Sequence, residues 1–258
     1  MYTLKKSLGQ HFLKDENICK KIVAQLEKQS FHQLLEVGPG GGALTKYLLQ
    51  IQGIDFKTVE LDEEKVTFLL HSYPQLQGKL LHQSFLDMEP PFSGPFMVIG
   101  NFPYNISSQI LFKILGWKEQ VQGVIGMFQK EVALRVAAQP GTKTYGVISV
   151  LVQAFFEVAY LFDVHEQCFQ PPPKVKSAVI RLLPVKEQPM MRDEKSFFLL
   201  VKTAFNQRRK TLRNAVKELF DPSILKDSLF EKRAEQLRVD QFAALTFKMK
   251  NLTGVKHA

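Results

Sequence analysis

Asn101-Phe102-Pro103-Tyr104 places an amide side chain, a proline and an aromatic ring directly after the short apolar run Phe96–Gly100. The side-chain carbonyl of Asn101 and the backbone carbonyl of Pro103 can each accept an N–H bond from an amine on a planar ring. Tyr104 offers that ring a stacking face, as single-stranded or flipped bases are commonly held. Proline also removes a backbone donor and stiffens the turn. The exocyclic amine of a base is a poor nucleophile, because its lone pair is delocalised into the ring. Acceptors on its N–H groups favour a more tetrahedral nitrogen and free that pair for in-line attack on a methyl group. No general base of low pKa is required, since the nitrogen sheds its proton after attack. Positioning and transition-state hydrogen bonds carry such a reaction.

A second element lies about 60 residues upstream, where Gly38-Pro39-Gly40-Gly41-Gly42 closes the run Leu34–Val37. Glycine lets backbone approach a ligand closely, because no Cβ obstructs it. Glu60 closes the next apolar run, 22 residues after Gly38. At that spacing a carboxylate accepts hydrogen bonds from ribose hydroxyls. Gly38-x-Gly40-x-x-Ala43 also fits the dinucleotide fingerprint, which leaves a nicotinamide-dependent dehydrogenase open. No residue set for hydride transfer stands out, whereas the tetrapeptide suits methyl transfer from S-adenosylmethionine to the amine of a base.

These residues need a frame to hold them. Leu34–Val37, Ile54–Leu61, Lys79–His82, Phe96–Gly100 and Val121–Phe128 read as strands. Ala43–Ile51, Glu63–Ser72, Ile106–Leu115 and Lys130–Ala138 between them have helical spacing. Such alternation predicts an α/β fold with a mostly parallel sheet. Val158–Val164 and Ser177–Leu183 are joined by a proline-rich connection too short for a helical crossover, which predicts antiparallel neighbours at a sheet edge. Pro184–Pro189 reads as a boundary, giving a first domain over 1–185 and a second over 186–258. In the second, Phe197, Leu200, Val201, Ala204 and Phe205 keep helical spacing, and Leu212, Val216 and Leu219 resume it, which predicts a small helical domain.

The 258 residues suffice for one large domain and a small one, and 45% apolar with 23% charged residues is ordinary for a soluble protein. The N-terminus has no apolar core of a signal peptide, and the most apolar stretch, 147–162, is broken by Gln153 and Glu157. A cytoplasmic protein without a membrane anchor is expected. Two cysteines, Cys19 and Cys168, give neither a disulfide framework nor a metal spacing, and the six histidines show none, so no metal site is expected. Charge is uneven. Residues 186–258 hold 16 Lys/Arg against 9 Asp/Glu, the rest 18 against 16. A basic C-terminal part on a nearly neutral body points to an anionic partner. Arg208, Arg209, Lys210 and Arg213 gather between two apolar-faced segments and suit phosphates.

Gln10-His11-Phe12-Leu13, Glu36-Val37-Gly38-Pro39-Gly40, Asn101-Phe102-Pro103-Tyr104-Asn105-Ile106-Ser107, Phe169-Gln170-Pro171-Pro172-Pro173-Lys174-Val175 and Phe205–Leu212 occur in this order along the chain. Together they resemble the ribosomal RNA adenine N6,N6-dimethyltransferase family, over residues from about 4 to about 250. The resemblance implies a class I, Rossmann-like methyltransferase sheet with an antiparallel edge strand, followed by an RNA-binding helical domain. It implies S-adenosylmethionine held by Gln10, His11, Leu13, Gly38, Gly40, Glu60 and Asn101, with Asn101 also contacting the target amine. Phe169 would cover the base face opposite Tyr104. Where the family usually has an acidic residue for the cofactor's adenine, this chain has Ser84, an uncharged acceptor, with Asp87 three residues on.

The motifs most resemble the branch that dimethylates two adjacent adenosines near the 3′ end of 16S ribosomal RNA, which implies the small (30S) subunit or its assembly intermediate as substrate and a role in subunit biogenesis. A monomer is expected. Large-subunit adenine methyltransferases of macrolide resistance share fold and chemistry but usually carry Asn-Ile-Pro-Tyr. A non-catalytic assembly factor is a third class, against which the intact Asn101 and Tyr104 argue.

Overall fold

The apolar runs do form strands, and their order in the sheet dictates where a ligand can sit. The computed structural model describes residues 11–251. In chain order, β1 (Phe12–Leu13) and α1 (Glu16–Val23) lead into β2 (Gln33–Val37), α2 (Thr45–Leu48), β3 (Asp55–Glu60) and α3 (Glu63–Ser72). Then come β4 (Leu80–His82), β5 (Phe96–Asn101), α4 (Ser107–Gly116), β6 (Val121–Gln129) and α5 (Lys130–Val136). After α6 (Val147–Gln153) follow β7 (Phe156–Val164), β8 (Phe169–Gln170) and β9 (Ser177–Pro184), then α7 (Glu194–Asn206), α8 (Leu212–Ala215) and α9 (Val239–Thr246).

Seven strands make one sheet in the order β4-β3-β2-β5-β6-β9-β7. The first five pair in parallel, and β9 runs antiparallel to both β6 and β7. This is the class I methyltransferase sheet, with the expected antiparallel pair at its edge. Phe96, Met97, Val98 and Ile99 of β5 point alternately to the two faces, and all are buried, so both faces of the sheet are covered. The chain leaves β2 for β3 and β4 on one side and returns to β5 on the other. That reversal opens a crevice at the carboxyl ends of β2 and β5, the usual ligand position in open α/β sheets.

Several elements escape the sequence pattern, among them α1, β1 and β8. Helix α1 begins at Asp15, whose carboxylate accepts from Asn17 N at 2.9 Å and Ile18 N at 3.1 Å, as a good N-cap does. β1 pairs antiparallel with β8, Phe12 opposite Gln170 and Leu13 opposite Phe169. Strands of two residues are too short to show a period.

The chain divides into two compact units. One runs through Leu134 and includes Phe156–Pro184; the other joins Arg135–Phe155 to the residues from Val185 on. A single cut after residue 185 therefore misses the excursion of 135–155. The segment folds on itself, with Gln153 Nε2 donating to Val136 O and Ala138 O, both at 2.8 Å. It is tied to the rest of that unit by Gly141 N donating to Glu235 O at 2.6 Å and Arg208 Nη2 to Tyr145 O at 3.2 Å. The apolar stretch 147–162 thus splits between α6 and β7. In the second unit α7 packs on α6, α8 and α9, and Phe197, Leu200, Val201 and Ala204 are buried as their spacing predicts. Among the described residues no helix is long and apolar enough to cross a membrane. Cys19 and Cys168 are free thiols.

Candidate active site

A cavity of about 240 Å³ opens at the carboxyl ends of β2, β3 and β5. It brings together His11, Leu13, Gly38, Gly40, Glu60, Ser84, Asn101, Pro103 and Tyr104, from segments up to 93 residues apart in the chain. Gln10 lies outside the described residues.

On one side of the cavity the backbone does most of the work. Gly38 and Gly40 have φ of +68° and +57°, the left-handed region that glycine enters without strain. A Cβ on Gly40 would stand 3.3 Å from Cε1 of Phe12, so the turn is also short of space. Glu60, at the end of β3, spans the turn. Its Oε2 accepts from Gly40 N at 3.2 Å, and its Oε1 from Leu61 N at 2.9 Å and Asp62 N at 3.0 Å. Four lone pairs minus three bonds leave one on Oε2. The carboxylate thus offers a ribose one ready acceptor rather than two.

Behind the turn lies Glu36, 1% exposed, with Oε2 accepting from Thr45 Oγ1 at 2.8 Å. Burial pushes its carboxyl up to about 8; the Thr45 bond opposes this and the neighbouring Glu60 adds to it. Lys65 also lines the cavity, its Nζ 5.3 Å from the centre of the Phe12 ring. Sequence reading gave Phe12, Glu36 and Lys65 no role. A signal existed for Glu36: it is the one charge in the apolar run Leu34–Val37.

Ser84 lines the cavity beside Phe85 and Leu86, and its hydroxyl makes no hydrogen bond with a described residue. Asp87 is exposed and outside the lining, so the loop does not bring it back as a substitute. A tight glycine cradle, an open lone pair on Glu60 and the apolar Phe85–Leu86 wall fit a nucleoside cofactor, with Ser84 as the uncharged acceptor at that wall.

On the other side, side chains are held by distant parts of the chain. Asn101 Nδ2 donates to His11 O at 3.3 Å. A carbonyl can only accept, so this bond fixes the amide orientation and leaves Asn101 Oδ1 as an acceptor. Tyr104 Oη hydrogen-bonds the hydroxyl of buried Ser177 at the start of β9. Burial raises the Tyr104 phenol above its ordinary value, with the Ser177 bond opposing. The Pro103 carbonyl is already engaged, accepting from Ser107 Oγ at 3.2 Å and Ile106 N at 3.3 Å. Ser107 Oγ has a second acceptor in Tyr104 O at 3.1 Å.

Phe169 stands elsewhere than the sequence reading placed it. It is fully buried in the core cluster with Leu13, Val164 and Val179 and does not line the cavity. Phe169 is paired with Leu13 across β1 and β8, yet only Leu13 reaches the cavity.

The basic cluster of the second unit divides in the same way. Arg208 Nη2 donates to Lys143 O and to Tyr145 O, the latter at 3.2 Å. Arg213 donates from Nε to Leu225 O at 2.9 Å and faces Glu231 at 3.4 Å. Arg209 and Lys210 are exposed, and their side chains have no hydrogen bond or ion pair among the described residues. Among the described residues no group of three or more His, Cys, Asp or Glu is placed to hold a metal ion.

Comparison with known proteins supplies independent findings. A model of the family Ribosomal RNA adenine dimethylase matches residues 1–251. The Ribosomal RNA small subunit methyltransferase A of Cytophaga hutchinsonii is 51% identical over 246 residues, 94% of this chain and 95% of that protein. Its namesake from Flavobacterium johnsoniae is 48% identical over 249 residues, 95% of each chain. Among solved structures, a dimethyladenosine transferase from Plasmodium falciparum superposes with a TM-score of 0.75 at 24% identity, covering 90% of this chain and 94% of that one. A 23S rRNA methyltransferase superposes with a TM-score of 0.69 at 23% identity, covering 90% and 99%. These two likenesses concern the fold.

Proposed function

Since the chain belongs to the ribosomal RNA adenine dimethylase family, we propose that its cavity transfers methyl groups to the N6 amines of two adjacent adenosines near the 3′ end of 16S ribosomal RNA. The substrate is the small (30S) ribosomal subunit or its assembly intermediate, in the cytoplasm. The orientation of Asn101 carries this reading: its amide is locked by His11 O, so that its carbonyl stands at the end of β5 as an acceptor for an amine.

S-adenosylmethionine supplies the electrophilic methyl group. The Gly38–Gly40 turn would cradle it, Glu60 Oε2 would accept from a ribose hydroxyl, and Ser84 would offer its hydroxyl to the base of the nucleoside. Leu13 and His11 close the cavity from the N-terminal segment. Asn101 Oδ1 accepts one N–H of the target amine. Pro103 O accepts the other once Ser107 Oγ swings to its alternative acceptor, Tyr104 O. These bonds draw the nitrogen toward a tetrahedral shape, and the Tyr104 ring holds the adenine in place. After one methylation a single N–H remains, so one acceptor suffices for the second transfer. Arg209 and Lys210 meet RNA phosphates through counterion release, while Arg208 and Arg213 shape the segment that carries them.

The test is transfer of labelled methyl from S-adenosylmethionine to undermethylated small and large subunits, side by side, with mass mapping. Dimethyladenosine near the 3′ end of small-subunit RNA is the expected product. Label confined to large-subunit RNA overturns the target, and no label in either overturns the enzymatic reading.

A further inference from the structure

Residue 11 meets both Asn101 and Tyr104 on the amine side of the cavity. Its carbonyl fixes Asn101, as described. Its imidazole lies against the Tyr104 ring, with centroids 5.7 Å apart and planes at 29°. Its Nδ1 lies 2.9 Å from Pro171 O, and since a carbonyl cannot donate, Nδ1 carries the hydrogen. That bond extends the β1–β8 pairing, which Lys14 N continues on the far side by donating to Cys168 O at 2.8 Å. Tyr104 is thereby held at two places, its hydroxyl by Ser177 and its ring by His11.

We propose that the His11 side chain is a positioning residue for the target base. It backs the Tyr104 ring and ties it to the Pro171 carbonyl, so that the stacking face and the Asn101 carbonyl keep a fixed separation. This rests on the methyl-transfer reading above and assigns the imidazole a task other than lining the cofactor. A ring free to tilt admits the adenine in poses that miss in-line attack, and small misplacements cost large factors in rate. The main-chain bond to Asn101 survives any substitution at position 11, so the side chain can be tested by itself.

The experiment compares the unaltered chain with His11→Ala and His11→Phe. Methyl transfer to undermethylated small subunits is measured at saturating cofactor, and S-adenosylhomocysteine affinity by calorimetry. His11→Ala is expected to lower kcat about tenfold, with cofactor affinity within about twofold. His11→Phe keeps a ring against Tyr104 but not the donor, and is expected to recover part of that loss. Equal kcat in all three proteins overturns the proposal, as does cofactor affinity that falls in step with the rate. No label from the unaltered chain sinks the methyl-transfer reading instead, and the proposal with it. Melting curves for both variants show whether each is folded; if His11→Ala is not, the ranking of His11→Phe against the unaltered chain decides.

Discussion

The glycine-turn side and the Asn101 side of one cavity are built by different means. Glu36, Gly38, Gly40 and Glu60 come from adjacent strands β2 and β3, and backbone N–H groups hold the Glu60 carboxylate. The Asn101 side joins residues 11, 101, 104, 171 and 177 through single side-chain bonds between remote segments. A turn made of backbone is rigid as soon as its strands pair. A set of side chains from remote segments is rigid only when every tie is made. Defects on the first side should therefore appear as weaker cofactor binding or altered stability, and defects on the second as slower transfer.

The largest effect should come from Asn101→Ala. Removing the oriented acceptor should cost about a hundredfold or more in transfer rate, the scale of one lost transition-state hydrogen bond. Fold and subunit binding should be kept, as circular dichroism and filter binding can check. Full activity in this variant would break the assignment of the amine side.

Glu36→Gln probes the other side through pH. An acid whose folded pKa is raised to about 8, above its usual value of 4.5, is held as the neutral form by the fold. The folded state then binds more protons than the unfolded chain between those values. Its contribution to stability is greatest below about 4.5, declines as pH rises and levels off above about 8. Gln keeps an acceptor for Thr45 and cannot ionise. The variant should gain on the parent between pH 5 and 8, by on the order of 3 kcal/mol, in melting curves taken across that range. Parallel curves would mean that Glu36 is ionised in the fold.

Gly40→Ala should be milder. Forcing alanine to positive φ costs about 1–2 kcal/mol, and its Cβ presses on Phe12. Cofactor affinity by calorimetry should fall about tenfold, with kcat at saturation nearly unchanged; a fall in kcat alone would blur the division between the sides. The smallest effect should separate Arg209 and Lys210 from Arg208. Replacing the first two by alanine should leave melting unchanged and flatten the salt dependence of subunit binding by about 2 in log–log slope. Arg208→Ala should lower stability by about 1–2 kcal/mol through its lost bonds to Lys143 O and Tyr145 O.

Local pattern determined much of this protein. Strand and helix alternation marked β2 to β6 and α3 to within a residue or two, and the strand-ending positions of Gly38, Glu60 and Asn101 placed them at the carboxyl edge of a parallel sheet. Composition and period are properties of neighbours in sequence, and so is a turn that needs glycine. Tertiary structure alone decided the rest. That Phe169 faces the core is set by its packing with Leu13, Val164 and Val179. The excursion of 135–155 into the second unit follows from bonds such as Gly141 N to Glu235 O and Arg208 to Tyr145 O. The unequal standing of Arg208 and Arg209 follows from which carbonyls lie within reach. Each is a choice among partners far along the chain, made by geometry that no spacing of residue types encodes.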